Sequence, residues 1–396
     1  MKILFLYNLP LIPYKGGIER VSNILAEEFK KEGHEVFFVS TTKNIDLFNN
    51  SSFKQYYLDF QDPDFIKNFH NLLKEHTPQV IINQALDKKS YILLESLKRI
   101  RDSKIPLPVI FSVFHNRPYP IDGIARKFKT LTYPKTLKGY FFKYIGLIYP
   151  SFYSNARNKE DTTTFKNFQN VSDKLFLLSE RFIPRLQKFF PEFDKNKVDA
   201  INNPNTFKLP EINNIRKDNL IIFVGRLLDP QKNVKNFIDL WNNFHKSHST
   251  WHAKIIGEGE HRGIFEKYAK KRGTLNLEFI GNQKNVDEYY KKAKFICVTS
   301  LYEGWGMVIT EAMAYECIPV VFDSYESLHD IIKDNVTGII AKPFSIQEMS
   351  TKLSSIADNE IKRIRIAKEG KHYIDKFNSK AIASIWLNKI LKEINS

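Results

Sequence analysis

Two carboxylates, Glu303 and Glu311, stand eight residues apart in SLYEGWGMVITEAMAYECIP, residues 300–319, with Gly304-Trp305-Gly306 between them. The apolar run KFICVTS leads into this stretch, and Met307, Val308, Ile309, Ala312, Met313 and Ala314 follow at helical spacing, so the glycines fall at a strand-to-helix turn. Such a turn suits an anion. The first N–H groups of a helix lack internal partners and its dipole is positive there, so a diphosphate could sit at Gly304 to Met307. Eight helical residues rise about 12 Å, roughly the span from a ribose to a sugar across a diphosphate, so the carboxylates could grip opposite ends of one ligand. The plain alternative is a Glu pair on a solvated helix face, and the glycine turn is what argues against it.

A turn of this kind is held by a parallel sheet, and the chain has the periodicity for two. Met1 to Asn8 is a short apolar run, followed by a loop to Gly16-Gly17, a helix through Phe29 and a strand at Glu35 to Ser40. Further strands are expected at Val80 to Asn83, at Val109 to Phe114, which leads into His115, and at Leu175 to Leu178. Helices are expected around Asp64 to Glu75, Ser90 to Asp102 and Glu180 to Phe190. The polar, turn-rich run NNPNTFKLPEINNIRK, residues 202–217, reads as a hinge. A second series then begins, with strands at Leu220 to Val224, Trp251 to Ile256, Leu277 to Ile280, Phe295 to Thr299, Ile318 to Phe322 and Gly338 to Ala341, and helices at Val234 to His245 and His261 to Arg272. The order predicts an α/β chain of two doubly wound, Rossmann-like domains facing across a cleft, with ligands at the carboxyl ends of the strands. The expected boundaries are residues 1–205 for the first domain, 206–380 for the second, and 381–396 for a helix packing back toward the first.

The bulk properties agree with a globular protein of two domains: 396 residues exceed one ordinary core. No run of 18 apolar residues occurs, and MKILFLYNLP reads as a first strand rather than a leader, which predicts a cytoplasmic protein. Cys297 and Cys317 lie in apolar runs without partner spacing and are expected to be core thiols, not metal ligands. Asp62-Pro63-Asp64 reads as a turn before a helix with Asp64 as N-cap, rather than as a metal motif. The formal charge is +16, and residues 1–205 hold +10 of it, from 31 Lys/Arg against 21 Asp/Glu. Gly123 to Lys159 contains no acid and interleaves eight Lys/Arg with nine aromatic residues. That pattern suits an anionic membrane surface, the plain alternative being a solvated face over an aromatic core. A nucleic-acid binder is disfavoured, since neither a recognition helix nor a zinc pattern is present.

The motifs carry a resemblance. Gly225-Arg226-Leu227 followed by Lys232-Asn233, then Gly257-Glu258-Gly259, then Glu303 and Glu311 resemble, in order and approximate spacing, the family 4 retaining glycosyltransferases, also grouped as glycosyl transferases group 1. Gly16-Gly17-Ile-Glu-Arg20 and His115 extend the similarity into the first half. The resemblance implies the GT-B fold and transfer, with retention and without a metal, from a nucleotide-diphosphate sugar to an acceptor. It implies no cofactor beyond that co-substrate, with a UDP-sugar as the expected donor. Gly123 to Val171 shares no motif, as expected of an acceptor-side segment.

The same resemblance assigns roles. Arg226 and Lys232 would bind the leaving diphosphate. A unit charge pair near 4 Å gains about 4 kcal/mol at an effective dielectric of 20 before desolvation, and each 1.36 kcal/mol of differential stabilisation is worth roughly tenfold in rate. Glu303 would hold the donor sugar hydroxyls, Glu311 the ribose, and His115 the sugar near its anomeric carbon. Gly16, Gly17, Gly225, Glu258 and the stretch Gly304, Trp305, Gly306 and Met307 complete the expected donor site. Trp305 stands where phenylalanine is usual in the family. A hydrolase reading of Glu303, with a carboxylate nucleophile and a nearby acid, is disfavoured because the family is thought to use front-face attack. The expected acceptor is lipid-linked or a polysaccharide in cell-surface glycan synthesis, such as lipopolysaccharide or capsule, at the inner face of the membrane. A nucleotide-sugar epimerase of the same fold is the alternative.

Overall fold

The computed structural model describes residues 1–12, 16–42, 52–99, 107–116, 118, 163–206, 216–228 and 231–395. By its contacts the chain divides into two units.

The first unit is built on seven parallel strands: β1 (Lys2–Tyr7), β2 (Glu35–Ser40), β3 (Lys54–Tyr57), β4 (Val80–Asn83), β5 (Val109–Phe114), β6 (Lys174–Leu177) and β7 (Val198–Ala200). Their order is β3-β2-β1-β4-β5-β6-β7. The central strands read KILFLY, VIIN and VIFSVF because helices cover both faces of a doubly wound sheet, which removes the polar alternation of a half-exposed strand. Helices α1 (Gly17–Lys31), α2 (Phe65–His76), α3 (Lys88–Lys98) and α4 (Ile183–Phe189) belong to this unit. On α1 the residues Val21, Leu25, Ala26 and Phe29 are buried, and Phe29 stacks on Phe5 of β1 at 6.2 Å. Helix α3 starts in a capping box in which Asp87 accepts from the Ser90 N–H at 2.8 Å.

The second unit repeats the plan with β8 (Asp218–Val224), β9 (His252–Ile256), β10 (Leu277–Gly281), β11 (Ala293–Val298), β12 (Ile318–Phe322) and β13 (Ile339–Ala341), in the order β10-β9-β8-β11-β12-β13 and parallel throughout. Its helices are α5 (Val234–His245), α6 (Arg262–Lys271), α7 (Asp287–Lys292), α8 (Met307–Ala314), α9 (Leu328–Ile331), α10 (Ile346–Ala357) and α11 (Glu360–Tyr373). Phe237, Trp241 and Phe244 from α5 fill the core against Phe223 and Trp251. A last helix, α12 (Ser379–Ile394), returns to the first unit. Trp386 packs there on Phe176 at 4.8 Å and Phe111 at 6.4 Å, and Ser379 donates to Glu28 on α1 at 2.9 Å.

Several expectations shift in detail. The inward face of α12 is Ile382, Ala383, Trp386 and Ile390, while Ile385 and Leu391 are exposed. Asp64 occupies the N-cap of α2 but its side chain does not cap. Asp62 makes the turn instead, accepting from the Asp64 N–H at 2.9 Å and from Asn68 Nδ2 at 2.9 Å. Proline at 63 leaves the earlier carboxylate to satisfy the amides beyond it. Strands β3 and β7 and helices α7, α10 and α11 do not stand out in the sequence. β3 is a half-exposed edge reading KQYY, and α11 turns Ile361 and Ile364 outward, which blurs its apolar period. Gly123 to Lys159 and most of the expected hinge lie outside the described residues.

Candidate functional site

In the second unit the strand order reverses direction between β8 and β11, the position at which doubly wound sheets open a crevice at their carboxyl ends. Gly225 and Arg226 follow β8, and Thr299 to Glu303 follow β11. The two loops are joined. Lys232 Nζ donates to Glu303 Oε1 at 2.6 Å, Ser300 Oγ donates to the same oxygen at 2.7 Å, and Gln231 Nε2 reaches Oε2 at 3.5 Å. Thr299 Oγ1 donates to the carbonyls of Lys232 at 3.2 Å and Asn233 at 3.0 Å, and the Leu301 N–H donates to Gln231 O at 2.8 Å. The charged pair is largely removed from water, with side-chain exposures of 16% and 10%. Its partners on both sides are what make that burial tolerable. Arg226 lies exposed on the same loop.

The glycines are explained by close backbone approach. Gly257 has φ +140°, and a Cβ there would lie 2.0 Å from the Gly225 carbonyl oxygen; one on Gly259 would lie 2.5 Å from that of Leu227. The loops after β8 and β9 therefore touch through bare backbone, with the Leu227 N–H donating to Glu258 O at 2.9 Å. The Glu258 side chain does not join Glu303. It is exposed and pairs with Arg262, which also holds Glu266 at 2.7 Å and Phe279 O at 3.1 Å.

Gly306, at φ +90°, ends the turn and opens α8, whose N-terminus has no side-chain cap and no acid in its first turn. The turn expected at Gly304 to Met307 is thus the uncapped start of a helix, with Gly304, Trp305 and Gly306 buried. Glu311 is 2% exposed and accepts from the Tyr290 hydroxyl at 3.0 Å. Tyr290 is held in turn: its carbonyl accepts from Lys217 Nζ at 2.9 Å, and Lys217 also donates to Tyr315 O at the end of α8 at 2.6 Å. Burial lowers the Lys217 ammonium to about 8. Glu303 and Glu311 therefore have different surroundings, a cation with hydroxyl and amide donors for one and a buried phenol for the other. The eight-residue spacing of the two acids carried no sign of Ser300, Gln231 or Tyr290.

In the first unit Gly16 is the N-cap of α1, and the Glu19 carboxylate folds back so closely that a Cβ on Gly16 would lie 2.2 Å from its oxygen. Gly17 is exposed at the first turn. His115 follows β5, next to β4, and its Nε2 donates to Gln84 Oε1. Since a carbonyl oxygen only accepts, Nε2 carries the proton and Nδ1 is left as the acceptor. Burial lowers the His115 pKa to about 4, so the ring is neutral at ordinary pH. Cys297 and Cys317 are free and buried; burial raises both thiols, Cys317 to about 12. A depression of about 1390 Å³ opens at the amino ends of β8, β9 and β11, lined among others by Arg216, Asp218, Lys254, Lys294, Glu360 and Arg363. It lies at the opposite edge of the sheet from Arg226 and Glu303, and its charges are mixed, so the carboxyl-end loops remain the candidate site.

Comparison with known proteins bears on the family and the fold. Residues 205–373 match the family described as Glycosyl transferases group 1, a stretch that includes Arg226, Lys232, Glu303 and Glu311. This bears out the resemblance seen in those residues. The amylovoran biosynthesis glycosyltransferase AmsD of Erwinia amylovora is 37% identical over 30% of this chain and 34% of its own. An α-1,4-N-acetyl-D-galactosaminyltransferase of Campylobacter jejuni, named for a GalNAc-bearing diNAcBac-PP-undecaprenol, is 28% identical over 57% of this chain and 59% of its own. The matches thus span about a third and about three fifths of these relatives. Among solved structures, Anabaena HepE in complex with UDP superposes with a TM-score of 0.71 at 14% identity, over 99% of this chain and 100% of that one. The fold is α/β of the GT-B type, with two doubly wound sheets.

Proposed function

For a chain whose residues 205–373 fall in the glycosyl transferases group 1, we propose a glycosyltransferase of cell-surface glycan synthesis. It moves a sugar with retention from a nucleotide-diphosphate donor, a UDP-sugar, to a lipid-linked or polysaccharide acceptor. The observation that carries this reading is the Lys232–Glu303 pair, 2.6 Å long, beside the uncapped N-terminus of α8 at the switch point of the second sheet. Lys232 has three N–H donors and needs only one for Glu303, so it can hold a diphosphate oxygen as well. Arg226 adds an exposed guanidinium, and the first amides of α8 add their dipole. Ser300 and Gln231 keep Glu303 in place while its remaining acceptor capacity takes donor sugar hydroxyls. Glu311, set by Tyr290, takes the ribose.

As the bond between the anomeric carbon and the diphosphate oxygen breaks, negative charge grows on the leaving group, where Arg226, Lys232 and the α8 amides act. The acceptor oxygen bonds to the same face of that carbon, and its proton passes to the departing diphosphate. Arg226 and Lys232 supply the cationic charge, so the reaction on this reading is metal-independent. His115 in the first unit is neutral, so any part it takes is that of a hydrogen-bonding group rather than of a titrating base. UDP bound to HepE and the surface-glycan names of the relatives support the choice of donor and acceptor class.

A screen of nucleotide sugars by thermal stabilisation and donor hydrolysis tests the reading. A UDP-sugar is expected to raise the melting temperature, and Lys232→Ala and Glu311→Ala are each expected to lose that stabilisation and to cut turnover by about 100-fold or more. Near-normal kinetics in both variants would place the donor elsewhere. Conversion of free donor into its epimer without an acceptor would replace transfer by isomerisation.

A further inference from the structure

The loop after β12, Asp323 to Ser327, lies against the glycine turn that opens α8: Ser324 Oγ donates to Ser300 O at 2.7 Å. From this loop Tyr325 reaches the turn. Its hydroxyl occupies the space a side chain at position 306 would fill, 2.8 Å from where a Cβ on Gly306 would stand. Tyr325 is 3% exposed, and among the described residues its hydroxyl has no hydrogen-bond partner. A buried hydroxyl without an acceptor has lost its water and gained nothing for it, and an orphan of this kind calls for an explanation. The nearby acid does not provide one. The Glu303 oxygens accept from Lys232, Ser300 and Gln231, and no hydrogen bond joins either of them to Tyr325. Burial, with Glu303 and Asp323 adding to it, pushes the phenol well above its ordinary pKa, so the proton stays on and the group can only be neutral. The head of α8, where no side chain caps the amides, is the place at which an anionic oxygen would arrive.

We propose that Tyr325 is a donor-binding residue whose buried hydroxyl hydrogen-bonds an oxygen of the donor diphosphate at the head of α8. This rests on the donor-site reading above. Gly306 has a matching part. Its positive φ sets the turn, and its missing side chain leaves the phenol next to the arriving oxygen.

The test uses the full chain, titrated calorimetrically with UDP, GDP and ADP, and the Tyr325→Phe variant titrated with whichever binds. Melting is followed without nucleotide. Loss of a hydrogen bond to a charged group is expected to weaken the variant's affinity by about 10- to 100-fold. The variant should nevertheless melt at or above the wild-type temperature, because an unsatisfied hydroxyl has been removed from the interior. That opposition of signs marks a ligand contact, since a packing role would lower melting and affinity together. Equal affinity for variant and wild type, with Glu311→Ala losing binding, would overturn the role of Tyr325 and leave the donor site standing. A variant that melts lower and loses affinity in step would make Tyr325 a structural residue and overturn the proposal. If wild type binds none of the three nucleotides, the donor-site reading falls and this proposal with it.

Discussion

At the scale of single residues, burial moves the acidities of His115 and Lys217 away from their ordinary values. His115 sits at the end of β5 as the sequence predicts, but burial holds its pKa near 4, about 2.5 below the ordinary 6.5. Between those two values the unfolded chain binds a proton that the folded chain refuses, so stability is lost as pH falls through 6.5 toward 4 and is fully present above 6.5. His115→Gln, which keeps a polar group beside Gln84, should flatten that part of the pH dependence. Urea unfolding at pH 7.5, 5.5 and 4.5 measures it, and an unchanged slope in the variant would show that the imidazole is not the group responsible. Turnover should show no step near pH 6.5 from this residue, as a general base of ordinary pKa would give. Lys217 illustrates the same physics with opposite charge economy: its ammonium, lowered to about 8 by burial, is anchored on two carbonyls, one of them at the C-terminal end of α8, where a cation complements the dipole.

At the scale of elements, two loops of the second unit, those after β8 and β9, meet through backbone. Gly257 at φ +140° lies beneath the Gly225 carbonyl, and any side chain there meets that oxygen at 2.0 Å. Gly257→Ala combines an unfavourable backbone region with a backbone clash and should cost about 3 kcal/mol or more of stability. Because the displaced loop carries Arg226, nucleotide affinity should fall along with the melting temperature. A variant with wild-type melting and affinity would mean that the loop after β8 can move aside freely. The pair of loops that holds Glu303 is different in kind, since side-chain donors stitch it. Glu311 is set by a third element, α7, through Tyr290. One short helix thus touches the carboxylate assigned to the ribose, while the loop after β12 reaches the turn assigned to the phosphates.

At the scale of the whole molecule, the charge of +16 leans toward the first half, and the acid-free aromatic and basic run from Gly123 to Lys159 falls within it. No helix among the described residues is long and apolar enough to cross a membrane. We propose that this basic run meets an anionic membrane surface, where each basic residue near the headgroups contributes about 1 kcal/mol. Co-sedimentation with vesicles containing anionic lipid, compared with a variant carrying four lysines of that run changed to glutamate, measures the attraction. Binding is expected to fall by about 100-fold or more in the variant and to weaken with salt. Equal binding by both would leave the acceptor to be recognised without the membrane.

Much of this was legible in the residues themselves. Continuous apolar runs such as KILFLY and VIIN, punctuated by glycine loops and helical spacing, determine a doubly wound α/β chain because a strand covered on both faces needs no polar alternation. The order Gly225-Arg226, Lys232, Glu303, Glu311 picks out one edge of the second sheet, since local spacing fixes which residues follow a strand and which begin a helix. What spacing does not contain is the partner brought from elsewhere in the chain. Lys232 and Glu303 are 71 residues apart, and Tyr290 and Glu311 are 21 apart. Tyr325 arrives at Gly306 from a different strand altogether. Strand order decides these meetings: placing β11 between β8 and β12 brings three loops to one edge, and only that packing shows which carboxylate faces a cation, which a phenol, and which hydroxyl is left waiting for an acceptor.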